Sequence, residues 1–148
     1  HFGIGTLYLS EPLHSTKKIK TLEGDPTHAA EARALFHSFQ KENIELVEGN
    51  FDDTLPTTLN AFPTCELVYV DGNHTEEATL RYFEMLLQHK NITCIVFDDI
   101  YWSKGMMRAW KKICADSRIE LSLDFYWFGV IFLNGRMRKE HFNLYLPR

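Results

Sequence analysis

The chain has 148 residues, 45% of them hydrophobic, which is enough to bury one core, so a single globular domain over 1–148 is expected rather than a disordered or multi-domain chain. A net charge of -4 argues against a broad nucleic-acid or anionic-membrane surface, and the basic cluster Lys17, Lys18 and Lys20 reads as the solvated start of a strand. No apolar run approaches the roughly 18 residues of a membrane span, no secretory leader opens the chain, and the three cysteines, Cys65, Cys94 and Cys114, lack C-x-x-C spacing, so buried free thiols in a cytoplasmic protein without a zinc site are expected.

Strand and helix patterns alternate along the chain. Residues 19–23 form a short strand-like run, after which Asp25 can cap a helix and Pro26 can occupy its first turn. That helix is predicted to run to about Lys41, with Ala29, Ala32, Leu35, Phe36 and Phe39 on its buried face. A strand over 44–47 and a loop over 48–52 follow, then a single further helical turn over 55–59. Residues 67–70 show almost no polar alternation, the pattern of a strand covered on both faces.

Thr75 is placed to cap the next helix, Glu76 and Glu77 suit its positive end, and Ala78, Tyr82, Phe83, Leu86 and Leu87 make its buried face. Another buried strand is expected over 93–97, and a helix over 103–117 carrying Met106, Met107, Trp110, Ile113 and Cys114. The last two strand runs, 119–123 and 128–133, are separated by too few residues for a crossover helix and must lie antiparallel. The result is an α/β fold, Rossmann-like, with a mostly parallel sheet, helices on both faces and an antiparallel hairpin near the C-terminus.

Ligands of such sheets bind beyond the carboxyl ends of the strands, and polar residues gather at those ends here. Glu23 and Asp25 follow the first strand, Glu48, Asn50 and Asp52 the second, Asp71, Asn73 and His74 the third, Asp98 and Asp99 the fourth. Each taken singly is an ordinary cap or turn residue; acids on four successive strand ends argue for a site. A carboxylate about 20 residues after a glycine-containing loop suits a ribose diol, because two acceptor oxygens can take both hydroxyl protons. Gly3 and Gly5 precede Glu23 at about that spacing. Asp25, or Asn50 with Phe51, could frame an adenine with polar contacts and an apolar face.

The stretch D-G-N-H over 71–74 also admits a different chemistry, since two-metal phosphoesterases use a Gly-Asn-His triplet. That reading lacks its partners: such a centre needs six or more ligands to hold two cations, and there is no D-x-H, no second Asp three residues after Asp25, and no histidine two residues from His141.

The runs T-L-E-G-D-P, L-V-E-G-N-F-D-D, V-Y-V-D-G-N-H-T-E-E-A-T-L-R-Y-F and I-V-F-D-D-I-Y-W, in this order, resemble the class I S-adenosylmethionine-dependent methyltransferases, in particular their small-molecule O-methyltransferase branch, from about Gly3 to Leu133. The resemblance implies a seven-stranded sheet whose last strand is antiparallel. It implies that Gly3, Gly5 and Gly24 lie along the cofactor, that Glu23 binds the ribose, that Asp25, Asn50 and Phe51 surround the adenine, and that Asp71 sits beside the sulfonium. In metal-dependent members an Asp after the fourth strand and an Asp-Asn pair after the fifth hold Mg2+; Asp71, Asp98 and Asp99 occupy similar positions, with Asp99 where Asn is usual. Metal assistance is left open, and without it His74 is the expected base.

The family's first strand has no counterpart before Gly3. An N-terminally truncated domain is expected, with poor cofactor affinity and its own activity in question. The gap would be covered by the run Phe142, Asn143, Leu144, Tyr145, Leu146, by another molecule's strand, or by a homodimer. The expected partner is a small molecule. Two alternatives remain: a nucleotide-binding α/β domain of another class, such as a dehydrogenase, which would close with a parallel sixth strand, and a non-catalytic interaction domain presenting Tyr101, Trp102, Tyr126 and Trp127.

Overall fold

Asp25 and Pro26 start a helix as the sequence suggests: the Asp25 carboxylate accepts the backbone N–H groups of Thr27 and His28, and proline's fixed φ suits the first helical position. In the computed structural model, which describes residues 2–13, 17–133 and 139–145, the chain divides into two units, His1–Phe62 and Pro63–Arg148. Each unit has its own sheet.

The first unit runs α1 (Ile4–Ser10), β1 (Ile19–Glu23), α2 (Pro26–Ser38), β2 (Ile44–Glu48) and α3 (Phe51–Ala61). Strands β1 and β2 are parallel, with Ile19 opposite Ile44 and Glu23 opposite Glu48, and α2 makes the crossover between them. Ala29, Ala32 and Phe36 of α2 are buried as expected, but α2 stops at Ser38 rather than near Lys41, and Phe39 is exposed. Gln40 takes a left-handed conformation at φ 53°, which ends the helix before Phe39 can turn inward. Gly3 has φ 74°, and a Cβ there would lie 2.6 Å from the Phe36 ring, so α1 approaches α2 closely at a position only glycine fills without strain.

Helix α3 is longer than the single turn expected. Asn50 caps it by accepting the Asp52 N–H, and Asp52 and Asp53 in its first turn complement the positive helix end. Pro56 lies within it, and the helix begins at Phe51, inside the stretch expected as a loop over 48–52.

The second unit runs β3 (Leu67–Val70), α4 (Glu76–Leu87), β4 (Cys94–Asp98), α5 (Lys104–Ala115), β5 (Leu121–Asp124), β6 (Phe128–Phe132) and β7 (Glu140–Asn143). Its sheet has the order β3-β4-β6-β5-β7. β3 and β4 are parallel, β6 is antiparallel to both β4 and β5, and β7 is parallel to β5. β5 and β6 thus form the antiparallel hairpin the sequence required, where the dehydrogenase alternative expected a parallel sixth strand.

Two expectations need correction in this unit. Strand β3 is not covered on both faces: it is the edge of its sheet, and Leu67 and Tyr69 are 54% and 39% exposed. The C-terminal run does not take the place of a missing first strand, since Glu140–Asn143 pairs with β5 at the opposite edge; Leu146 lies outside the described residues.

The core of this unit forms on one sheet face. Phe97 of β4 touches Phe83 of α4 edge-on at 6.3 Å and Trp110 of α5 at 6.5 Å, so both helices cover the same side. Such aromatic pairs add roughly 0.5–1.5 kcal/mol beyond area burial. Trp110 lies directly over Gly129, where no side chain would fit. Thr75 caps α4 as the sequence suggests, accepting the Ala78 N–H, and Ser103 caps α5 by accepting the Met106 N–H. Arg108 and Lys112 of α5 both bind Glu76 at the start of α4. Cys65, Cys94 and Cys114 are free and half-buried rather than fully buried. No helix among the described residues is long and apolar enough to cross a membrane.

Candidate functional site

In the first unit, the β1–β2 register brings the strand ends together. Glu23 stands opposite Glu48, and the Gly49 N–H bonds to the Glu23 carbonyl at 2.9 Å. Glu23 Oε1 accepts the Asp25 N–H at 2.9 Å, which turns the chain through Gly24 and leaves the second carboxylate oxygen of Glu23 without that duty. The Asp25 carboxyl is held below its usual range by the N–H groups of His28 and Thr27. Asn50 spends its carbonyl oxygen on the Asp52 N–H, and Phe51 begins α3 next to it. Gly5 is on α1, with open space where a side chain would project. Within this unit, then, Glu23, Gly24, Asp25, Asn50 and Phe51 gather at the carboxyl ends of β1 and β2, and Gly3 and Gly5 lie at the head of α1.

In the second unit the carboxyl ends of β3 and β4 carry the titratable cluster. Val70 pairs with Phe97, so Asp71, one residue on, falls beside Asp98. Tyr69 is two residues before Asp71 and shares its sheet face, because strand side chains alternate. Gly72 and Asn73 make the turn that brings His74 back: Asn73 sits at φ 51°, a conformation Asn tolerates, and its amide donates to the Tyr82 hydroxyl at 3.2 Å. His74 Nε2 thereby stands 3.5 Å from Asp71 Oδ1 and 3.9 Å from Asp99 Oδ2. Asp99 has φ 51° as well, so the chain bends sharply where β4 ends.

The electrostatics follow from this crowding. Asp71 is held below its normal range chiefly by its bond to His74, against the opposing effect of burial. His74 is raised chiefly by Asp71, with Asp99 and Asp98 adding to the effect. Asp98 is pushed up by burial first and by the negative charge of Asp71 second. The Tyr69 hydroxyl is raised by burial and then by Asp98 and Asp71. An arrangement of this kind favours a charged His74–Asp71 pair beside a carboxyl that resists ionisation, and groups driven apart in this way are what acid–base chemistry uses.

The three carboxylates do not form a cation site as placed. Asp71 and Asp99 flank His74, and among the described residues no group of three or more His, Cys, Asp or Glu side chains is gathered so as to hold a metal ion. Magnesium prefers near-octahedral oxygen ligation, which this arrangement does not offer.

Sequence reasoning missed two residues at this edge. Tyr69 could have been found from its i, i+2 relation to Asp71. Asp124 is 1% exposed and ends β5, where it accepts from the Tyr101 hydroxyl at 2.7 Å, from Trp110 Nε1 at 3.1 Å and from the Tyr126 N–H at 2.9 Å. The acid closing the run L-S-L-D was its only signal in the sequence.

A family model described as a methyltransferase domain matches residues 1–100. Among solved structures, an O-methyltransferase from Bacillus cereus in complex with SAH is similar at a TM-score of 0.66 and 19% identity, over 88% of this chain and 69% of that one. The O-methyltransferase TomG from Streptomyces achromogenes, involved in tomaymycin synthesis and in complex with SAM, is similar at a TM-score of 0.72 and 17% identity, over 90% of this chain and 69% of that one. At these identities the likeness is one of fold. No curated protein sequence matches the chain.

Proposed function

The chain belongs to the methyltransferase-domain family and has the class I methyltransferase fold, and from that premise we propose that it transfers a methyl group from S-adenosylmethionine to an oxygen or nitrogen nucleophile of a small molecule, with His74 receiving the acceptor's proton. The observation that carries the assignment of the base is the position of His74 Nε2 between Asp71 Oδ1 and Asp99 Oδ2.

The donor, once bound, would supply an activated methyl on a positively charged sulfur, with a neutral thioether as the leaving group. The protein's own task is positioning and removal of one proton. In neutral His74 the Nε2–H is directed to the carboxylates, so the acceptor's proton is taken up at Nδ1; the imidazolium that results is flanked by two carboxylates, and the same carboxylates that raise His74 stabilise it. We derive no step through a divalent cation, because Asp71 and Asp99 are engaged with His74.

In the first unit, Glu23 has one carboxylate oxygen engaged by the Asp25 N–H and its other oxygen for the ribose hydroxyls. Asp25, Asn50 and Phe51 are assigned to the adenine, Gly24 to the close backbone approach, and Gly3 and Gly5 to the methionine part of the donor. These assignments rest on the family pattern and on the gathering of the residues at the ends of β1 and β2.

Calorimetric titration of S-adenosylmethionine into the wild-type chain and into Glu23→Gln tests the reading. A saturable isotherm weakened by about tenfold, equivalent to roughly 1.4 kcal/mol, in the variant is expected. No heat of binding to the wild-type chain at millimolar donor would overturn it.

A further inference from the structure

Strand β7 ends the second unit's sheet at the edge away from β3, and all four of its residues are exposed. Among the described residues no strand pairs with its outer side. Its inner side is held firmly all the same. Lys139, just before the strand, donates to the Ala115 and Asp116 carbonyls at the end of α5, at 2.9 and 2.6 Å. His141 Nε2 stands 3.1 Å from Asn143 Oδ1, which can only accept, so Nε2 carries the proton. In the neutral ring Nδ1 then accepts from the buried Ser122 hydroxyl of β5 at 2.8 Å. One imidazole thus ties the strand to its neighbour and stiffens it along its length.

The ladder to β5 decides which backbone groups are left over. The Glu140 N–H bonds to the Glu120 carbonyl and the Leu144 N–H to the Asp124 carbonyl, both at 2.7 Å. Alternate residues of a parallel strand turn their N–H and C=O toward one neighbour. Residues 140, 142 and 144 therefore serve β5, whereas His141 and Asn143 turn theirs outward. Side chains alternate as well. The His141 ring lies on the α5 side of the sheet, 6.4 Å from Trp110, and Phe142, beside Leu123, lies on the other face. Phe142 and Leu144 are 44% and 51% exposed. Exposed edges are commonly blunted by lysine, proline or a bulge, and residues 140–143 carry none of these.

We propose that β7 is a homodimerisation strand, pairing antiparallel with β7 of a second copy about a two-fold axis at Phe142. The edge is its own complement in that register. His141 comes opposite the partner's Asn143, the two exchange both N–H···O bonds, and the two-fold axis repeats the match. Phe142 meets the partner's Phe142 at the non-hydrogen-bonded position, where strands approach most closely, about 4.5 Å between Cα atoms, and the two rings cover each other. Glu140 comes opposite the partner's Leu144, so the acid does not face its own copy. A foreign strand would have to reproduce this match, whereas a second copy supplies it by symmetry, and the pairing uses up both β7 edges and stops at a dimer. The strand is already ordered by Lys139, Ser122 and His141, which lowers the entropy lost on pairing. A pair of four-residue strands buries less than the roughly 1,200–2,000 Å² of a stable interface, so the dimer fills with concentration. The inference is independent of the chemistry proposed above.

Sedimentation equilibrium and amide hydrogen exchange of the full chain, from about 5 to about 500 μM, test it together. The average mass is expected to rise toward twice that of the monomer. Over the same range exchange at the His141 and Asn143 amides should slow by at least about fivefold, while the Glu140 and Leu144 amides are protected throughout. Asn143→Pro removes an outward N–H at an edge position where proline is tolerated and should abolish the rise in mass. Asn143→Ala keeps that N–H and should retain it. Phe142→Lys, at an exposed position, sets like charges opposite each other and should abolish it too. If Asn143→Pro releases β7, seen as lost protection at Glu140 and Leu144, Phe142→Lys decides in its place. A chain that stays monomeric throughout overturns the proposal and leaves the edge to a foreign strand. A rise in mass with unchanged exchange at His141 and Asn143 overturns it by placing the contact elsewhere, as does a rise that survives Phe142→Lys. Loss of the rise in Asn143→Ala traces the contact to the side chain and overturns the strand pairing.

Discussion

His74 and Asp71 face each other at 3.5 Å across the turn after β3, and each shifts the other's protonation in the direction that favours the charged pair. Asp71 is lowered, so its contribution to stability is present above its unfolded value and is lost as pH falls through its folded one. His74 is raised, so its contribution is present below its unfolded value and is lost as pH rises through its folded one. The pair is therefore at full strength only in the window between, and Asp71→Asn should lower the thermal midpoint most inside that window and little outside it. Thermal unfolding of the two proteins across pH 3 to 9 checks this, about where these two groups titrate.

The same pair governs the rate. A base must be neutral to accept a proton, so kcat/KM is expected to rise with pH through the His74 value, which Asp71 holds above the ordinary histidine range. Asp71→Asn should move that limb to lower pH, and His74→Ala should reduce kcat by about 100-fold and flatten the limb. A pH–rate profile that keeps its limb in His74→Ala would assign the base elsewhere.

Asp98 behaves oppositely to Asp71. Burial and the neighbouring charge raise it, so the folded chain binds that proton more tightly than the unfolded chain, and its effect on stability becomes unfavourable as pH rises past the usual carboxylate value. Asp98→Asn should raise the thermal midpoint at neutral pH and change it little at pH 3, about a unit below the ordinary aspartate value.

Gly129 lies under the Trp110 ring with no room for a methyl group. Gly129→Ala should cost about 1–3 kcal/mol by forcing the indole away from its place over the strand. Its bond to Asp124 would be disturbed as well, and a urea titration with Trp fluorescence reads both effects.

Thr75 caps α4 through the Ala78 N–H. Thr75→Ala should cost roughly 1 kcal/mol. Thr75→Ser, which keeps the hydroxyl, should restore most of it in the same urea titration.

The elements that could be read from the sequence were those whose ends are marked by chemistry. Asp25 with Pro26 and Thr75 with Glu76 and Glu77 each announce a helix, and Asp25 and Thr75 each cap one. α3 was underestimated because residues 48–52 read as a polar loop, whereas Asn50 within that stretch is the cap and the acids after it already belong to the first helical turn. The face of β3 was misjudged because an apolar run reports what a strand prefers, not whether a neighbour lies beside it. At the site, the acids on strand ends were legible because topology alone decides where strand ends gather. Their division of labour was not, since His74 lying between Asp71 and Asp99 depends on the left-handed turns at Asn73 and Asp99, which no periodicity encodes. Asp124 stayed hidden because its partners, Tyr101, Trp110 and Tyr126, come from three separate segments.

The position of β6 between β4 and β5 has a consequence for how the second unit comes into being. β5 reaches β4 only by way of β6, and β7 only by way of β5. During synthesis from the N-terminus, β5 therefore emerges with no edge to join and must wait for residues 128–132, while β3 and β4 can pair already. Asp124 gains the Tyr126 N–H as a donor only as the same hairpin emerges, so the strand pairing and the partners of its buried acid are completed together.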